Sequence, residues 1–273
     1  MEPLISIITP VFNGEKFLDN AISSIKKQTY SHWELLVVND GSDDKTEDII
    51  KGFKDFKIRY YKQKNKGVSA ARNLGLQNMN GDFFCFLDAD DVLPEKSLEC
   101  RLNVFKINNE ISFVDGSVHI KNHNFSDTIK KWTPNFSGEP LEELLKLSGK
   151  NFLGNTWMIK RKPRVTYHFK EGLTHGEDLL FYIDLARQGG LYSYTEEPVL
   201  YYRKGHKSAM KNLKGLEQGY RDIYHEILSM DDIPYHLKQA YQKKAKSIIA
   251  KSYLGKRQPL NALKAYLNNW NNH

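Results

Sequence analysis

The chain has 273 residues, 40% hydrophobic and 27% charged, with no low-complexity tract, which excludes a disordered polymer and allows one large α/β domain, alone or with an appendage. Its net charge of +7 sits at the C-terminal end: from Lys204 onward 13 Lys and Arg face 5 Asp and Glu. Such an end suits phosphates of nucleic acid, anionic lipid headgroups or a diphosphate-bearing acceptor, and equally a solvated helical face.

Leu4 to Thr9 predicts a first strand and Pro10 to Gly14 a turn, after which Phe17, Leu18, Ala21, Ile22 and Ile25 recur at helical spacing. Trp33 to Val38 predicts a second strand running into the polar cluster Asn39 to Asp43. Thr46, Ile49, Ile50 and Phe53 continue as a helix for which Ser42 or Asp43 is the expected cap. Ile58 to Tyr61 reads as a strand, Val68 to Gln77 as a helix, and Phe83 to Leu87 as a fourth, fully apolar strand. Three strand–helix units in a row predict a doubly wound, mostly parallel sheet. In such sheets ligands bind beyond the carboxyl ends of the strands, where Asp40 and Asp88 fall.

The middle of the chain is less regular: Ser112 to Ile120 and Asn155 to Lys160 predict strands, and Gly138 to Leu147 a short helix. Gly176 opens a helix that ends at Gly189-Gly190. After Tyr202 the pattern is helical to the end, with Tyr220, Ile223, Ile227, Leu237, Tyr241 and Ile248 as apolar positions. Two cysteines, Cys85 and Cys100, are too few for a disulfide framework. With no basic–apolar export signal and no run long enough to span a bilayer, a cytoplasmic protein is expected, in peripheral contact with the membrane at most.

Two acidic clusters carry the chemistry. Asp88-Ala89-Asp90-Asp91 packs three carboxylates directly after an apolar strand, a costly arrangement unless a cation is bound, and Mg2+ or Mn2+ bridging a diphosphate meets that need. The alternative is an acidic helix start, with Asp91 as a cap and Pro94 and Glu95 opening the helix. Asp40, within Val38-Asn39-Asp40-Gly41-Ser42-Asp43, offers two acceptor oxygens to a base or ribose, although ordinary turns use the same residues.

Those segments, together with Ile7-Ile8-Thr9-Pro10-Val11-Phe12-Asn13 and Asn65-Lys66-Gly67-Val68-Ser69-Ala70-Ala71-Arg72-Asn73, stand in the order seen in family 2 glycosyltransferases of the GT-A fold, and the chain resembles that family over at least residues 4 to 110. The resemblance implies a Rossmann-like GT-A catalytic domain over residues 1–208, with nucleotide-sugar binding in 1–110 and an acceptor side in 111–208, and a basic helical extension over 209–273. It also implies inverting transfer of a sugar from a nucleotide-diphosphate donor, a UDP-sugar first, to a glycan or lipid-linked glycan acceptor in cell-surface polysaccharide or lipopolysaccharide assembly. Nucleic acid is not an expected partner.

By the same resemblance Asp40 would bind uracil, with Pro10, Val11 and Asn13 lining the nucleoside pocket. Asp90 would ligate Mn2+ or Mg2+ directly, while Asp88, with Ala89, would reach the ribose or a metal-bound water. Arg72 lies in a stretch that closes over the donor. Thr174-His175-Gly176-Glu177-Asp178 resembles the family's Glu-Asp motif, making Asp178 the catalytic base and Glu177 its orienting neighbour. Arg203 or Lys207 would offset charge on the departing diphosphate, and His206 would serve as third metal ligand or phosphate donor. A nucleotidyltransferase is the competing enzyme, disfavoured because Pro10-Val11-Phe12-Asn13-Gly14 is no glycine-rich phosphate loop. A noncatalytic carbohydrate or nucleic-acid binding module is the competing non-enzyme.

Overall fold

Short apolar runs buried on both faces form the centre of the molecule, as expected where helices cover both sides of a parallel sheet. In the computed structural model, which describes residues 2–205, 212–268 and 270, β1 (Ile5–Val11) lies between β2 (Trp33–Asn39) and β4 (Phe83–Phe86), parallel to both. β3 (Ile58–Lys62) continues the parallel ladder beyond β2. On the other side β7 (Met158–Lys160) runs antiparallel to both β4 and β5 (Ile111–Lys121). β5 also pairs antiparallel with the exposed strand β6 (Thr128–Trp132) and parallel with β8 (Leu191–Arg203). The sheet is a mainly parallel, GT-A-like α/β sheet ordered β3-β2-β1-β4-β7-β5-β6.

Successive strand residues point to opposite faces. Ile5 and Ile7 enter a core with Ile22 of α1 (Leu18–Lys26), Ile50 of α2 (Thr46–Gly52) and Leu98 of α4 (Ser97–Ile107). Ile8 enters the opposite core with Leu76 of α3 (Val68–Asn78), Leu144 of α5 (Leu141–Leu145) and Phe181 of α6 (Glu177–Arg187). That second core runs on without interruption into α7 (Leu213–Leu228), α8 (Tyr235–Gly255) and α9 (Pro259–Leu267). Phe169 stacks on Phe181 at 4.0 Å and meets Phe86 edge-on at 5.2 Å, clamping the start of α6 to the end of β4.

Several expectations need correction. β1 runs through Pro10 and Val11 instead of turning at Pro10; the β4 ladder has already ended at Ile8↔Phe86, so the missing N–H leaves no bond unmade on that side. Neither Ser42 nor Asp43 caps α2, which starts after Lys45 without a side-chain cap. Asp91 is no helix cap either, since α4 begins at Ser97. Strand β6 and the whole of β8 have no counterpart among the elements that the sequence pattern predicts. The helix α8 buries Leu237, Tyr241, Ala245, Ile249 and Tyr253, so Ile249 and not Ile248 is the core position.

Candidate active site

Three loops meet at the carboxyl ends of the parallel strands. Asn13, held at a positive φ of 52°, donates its N–H to Ser42 Oγ at 2.9 Å and accepts from the Asp43 N–H at 3.0 Å. The Gly14 N–H donates to Thr46 Oγ1 at 2.8 Å, so the loop carrying Pro10, Val11 and Asn13 is fastened to the loop after β2. A Cβ on Gly14 would stand 3.8 Å from that of Ala89, which places the same loop against the acidic cluster. Asp40 is 3% exposed; it accepts from Gln63 Nε2 at 2.7 Å, the Lys66 N–H at 2.9 Å and the Gly67 N–H at 2.8 Å. These bonds fold the segment between β3 and α3 over the end of β2.

After β4 the chain enters Asp88-Ala89-Asp90-Asp91. Asp88 and Asp90 stay partly exposed at the rim, whereas Asp91 is buried and accepts the Arg203 N–H at 2.8 Å. Burial and the charges of Asp90 and Asp88 push the Asp91 carboxyl well above the usual range. The Arg203 guanidinium donates to the Asp90 carbonyl at 2.7 Å and to the His123 carbonyl, and lies against the rings of Phe17 and Phe125 at 4.6 and 4.1 Å. Arg203, foreseen in a phosphate-facing loop, is thus the last residue of β8 and pins the acidic loop from behind. His206 and Lys207 lie outside the described residues.

Arg72 joins the two acidic motifs. Foreseen only as part of a donor-closing stretch, it is 3% exposed, donating from Nη2 to Asp88 Oδ1 and from Nη1 to Glu177 Oε1, each at 2.9 Å, while its guanidinium lies 5.2 Å from the Phe169 ring centre. The end of β4 and the start of α6, 89 positions apart in numbering, are thereby locked together. Gly176 makes that start possible: its φ is 78°, and a Cβ there would come within 2.6 Å of Ile223 Cδ1. The next residues, Glu177 and Asp178, emerge at a helix N-terminus. Burial first, and the Glu177 charge second, raise the Asp178 pKa to about 7, with Arg72 opposing. Trp157 is fully buried and stacked on Tyr182 at 4.3 Å.

The rim is chemically suited to a divalent cation. Mg2+ and Mn2+ complete an octahedron with water and substrate phosphates and need one or two protein carboxylates, the number that Asp88 and Asp90 offer. Among the described residues no three His, Cys, Asp or Glu side chains converge into a closed metal cage. Two features escaped the sequence: Gln63 as a ligand of Asp40, and the approach of Gly154, whose Cβ would lie 3.9 Å from Asp178 Oδ2. Gln63 had no flanking signal, while Gly154 sits in a loop with φ of 73° that a glycine marks only generically.

The family model of Glycosyl transferase family 2 matches residues 6–165. An uncharacterised glycosyltransferase of Haemophilus influenzae is 35% identical over 202 residues, or 70% of this chain and 76% of that protein. The UDP-Glc:alpha-D-GlcNAc-diphosphoundecaprenol beta-1,3-glucosyltransferase WfgD of Escherichia coli is 40% identical over 122 residues, 44% of this chain and 48% of the relative. Staphylococcus aureus TarS 1–349 in complex with UDP-GlcNAc matches 96% of this chain and 80% of that one with a TM-score of 0.72 at 20% identity. The mannosyltransferase PcManGT from Pyrobaculum calidifontis, in complex with GDP-Man and Mn2+, matches 98% of this chain and 77% of that one with a TM-score of 0.67 at 16% identity. At such identities the structural likeness is one of fold.

Proposed function

Since the chain belongs to glycosyl transferase family 2, we propose that it moves a sugar from a UDP-sugar to a hydroxyl of a glycan or lipid-linked glycan, with inversion and a bound divalent cation. Residues 1–208 form the catalytic unit of this reading and 209–273 its basic extension. The observation that supports it is the Arg72 bridge, which holds Asp88 and Glu177, the neighbour of Asp178, on one guanidinium; in this reading Asp88 serves the donor and Glu177-Asp178 the acceptor. UDP is favoured by the TarS complex with UDP-GlcNAc, and a lipid-linked acceptor by the diphosphoundecaprenol substrate in the name of WfgD. PcManGT, solved with Mn2+, supports the cation.

Asp40 orders the 63–67 segment around the nucleoside pocket lined by Pro10, Val11 and Asn13. Asp90 and Asp88 would hold the cation, which when bound would stabilise negative charge on the leaving diphosphate. His206 stays a candidate third ligand. Asp178 takes the proton of the acceptor hydroxyl as that oxygen attacks the anomeric carbon from the face opposite the diphosphate, and Glu177, fixed by Arg72, orients the pair. A pKa near 7 makes Asp178 a stronger base than a solvated carboxylate while leaving a usable ionised fraction at neutral pH. Nucleoside diphosphate release, followed with a panel of UDP-, GDP- and dTDP-sugars in Mn2+, tests the reading. UDP release supports it, and the absence of turnover and of UDP binding with every donor favours a binding module instead.

A further inference from the structure

α9 is packed with its small residues inward. Ala262 and Ala265, 4% and 2% exposed, are its only buried side chains, whereas Leu260, Leu263 and Leu267 are 74%, 56% and 68% exposed. Spaced i, i+3 and i+7, the three leucines share the face opposite the alanines, with Tyr266, 49% exposed, at its border. A helix that served only to stabilise the fold would bury those leucines; contiguous apolar side chains left in water mark a contact surface. Leu254, 55% exposed near the end of α8, adds another just before the turn into α9.

Charge narrows the partner. Residues 233–273 carry eight Lys and Arg and not one Asp or Glu, and Lys251, Lys256, Arg257 and Lys264 are exposed around the leucines. A second copy of this face would bring like charges together with no acid in the segment to neutralise them. An apolar stripe edged by lysines and arginines fits a surface that is apolar below and anionic above.

We propose that α9 and the adjoining end of α8 dock on an anionic lipid bilayer surface, the leucines entering the boundary between headgroups and acyl chains and the basic residues facing lipid phosphates. The inference goes beyond sugar transfer and does not depend on it, because its test reads binding and not turnover. Among the described residues no helix is long and apolar enough to cross a membrane, so the contact proposed is with one face only.

The test is co-sedimentation of the full chain with vesicles of phosphatidylcholine alone or mixed with phosphatidylglycerol, at low and raised salt. Binding to the anionic vesicles is expected, weakened about tenfold or more on neutral vesicles and in raised salt. The triple variant Leu260→Ser, Leu263→Ser, Leu267→Ser removes only exposed side chains; it should keep the wild-type circular dichroism and melting temperature yet bind about tenfold or more weakly. Protein left in the supernatant at low salt, equal binding to neutral vesicles, or wild-type binding by the triple variant would each overturn the proposal. So would a wild-type dimer in sedimentation velocity that the triple variant abolishes without any vesicle binding.

Discussion

Asp178 combines two requirements that pull against each other. Burial and the adjacent Glu177 raise its pKa to about 7, and the Arg72 guanidinium beside Glu177 limits the rise. In the proposed reading Asp178 is the base and acts only when ionised, so kcat/KM is expected to climb with pH up to about 7 and then level. Stability runs the other way. A carboxyl whose folded pKa exceeds its unfolded value of about 4 costs stability progressively as pH rises from about 4 to about 7. The melting temperature of Asp178→Asn relative to wild type should therefore increase between pH 5 and pH 8; a difference independent of pH would refute the raised pKa. Arg72→Gln leaves Asp88 and Glu177 facing each other without a cation. A loss of about 3 kcal/mol is expected from denaturant midpoints, at the low end for a buried ion pair because Asp88 is 43% exposed.

At the scale of the elements, Glu34 shows how the strand order is fastened at the end away from the cleft. From β2 it accepts from Ser6 Oγ of β1 at 2.6 Å, Arg59 of β3 at 2.8 Å and the Asn80 N–H before β4 at 2.6 Å. Burial pushes its pKa up, but these hydrogen bonds and the Arg59 charge outweigh it and the net direction is down. Such a carboxylate stabilises the fold above its unfolded pKa and loses that contribution as pH falls through the lowered folded value. Glu34→Gln is expected to cost about 1–3 kcal/mol at pH 7 and progressively less in acid, as read from urea midpoints at several pH values.

The same scale explains what the sequence disclosed. β1, β2 and β4 are buried on both faces, so their composition alone marks them. β8 hid because Glu196-Glu197-Pro198 resembles a turn, and the strand does shift register there against Gly116 to Val118. β6 hid because its only task is to edge the sheet, leaving Thr128 to Lys131 exposed and without an apolar alternation. At the site, motifs that end strands or begin helices were legible by position. Arg72 was legible as a residue but not as a bridge, because nothing local encodes a contact with a helix that starts at Glu177.

For the whole molecule, the two cores divide the labour. One packs α1, α2 and α4 on one face of the sheet, and the other ties α6, which starts at Glu177-Asp178, to α7 and α8 through Ile223 and Tyr241. Arg72 joins the loop after β4 to the start of α6, the two segments that the proposed reading assigns to donor and acceptor. The most direct measurement compares wild type with Asp178→Asn for UDP affinity by calorimetry in Mn2+ and for sugar transfer on the same preparation. The account predicts a UDP Kd within about threefold of wild type together with a fall in kcat of about 100-fold or more. Transfer by Asp178→Asn within about threefold of wild type, or loss of UDP binding alongside turnover, would contradict it.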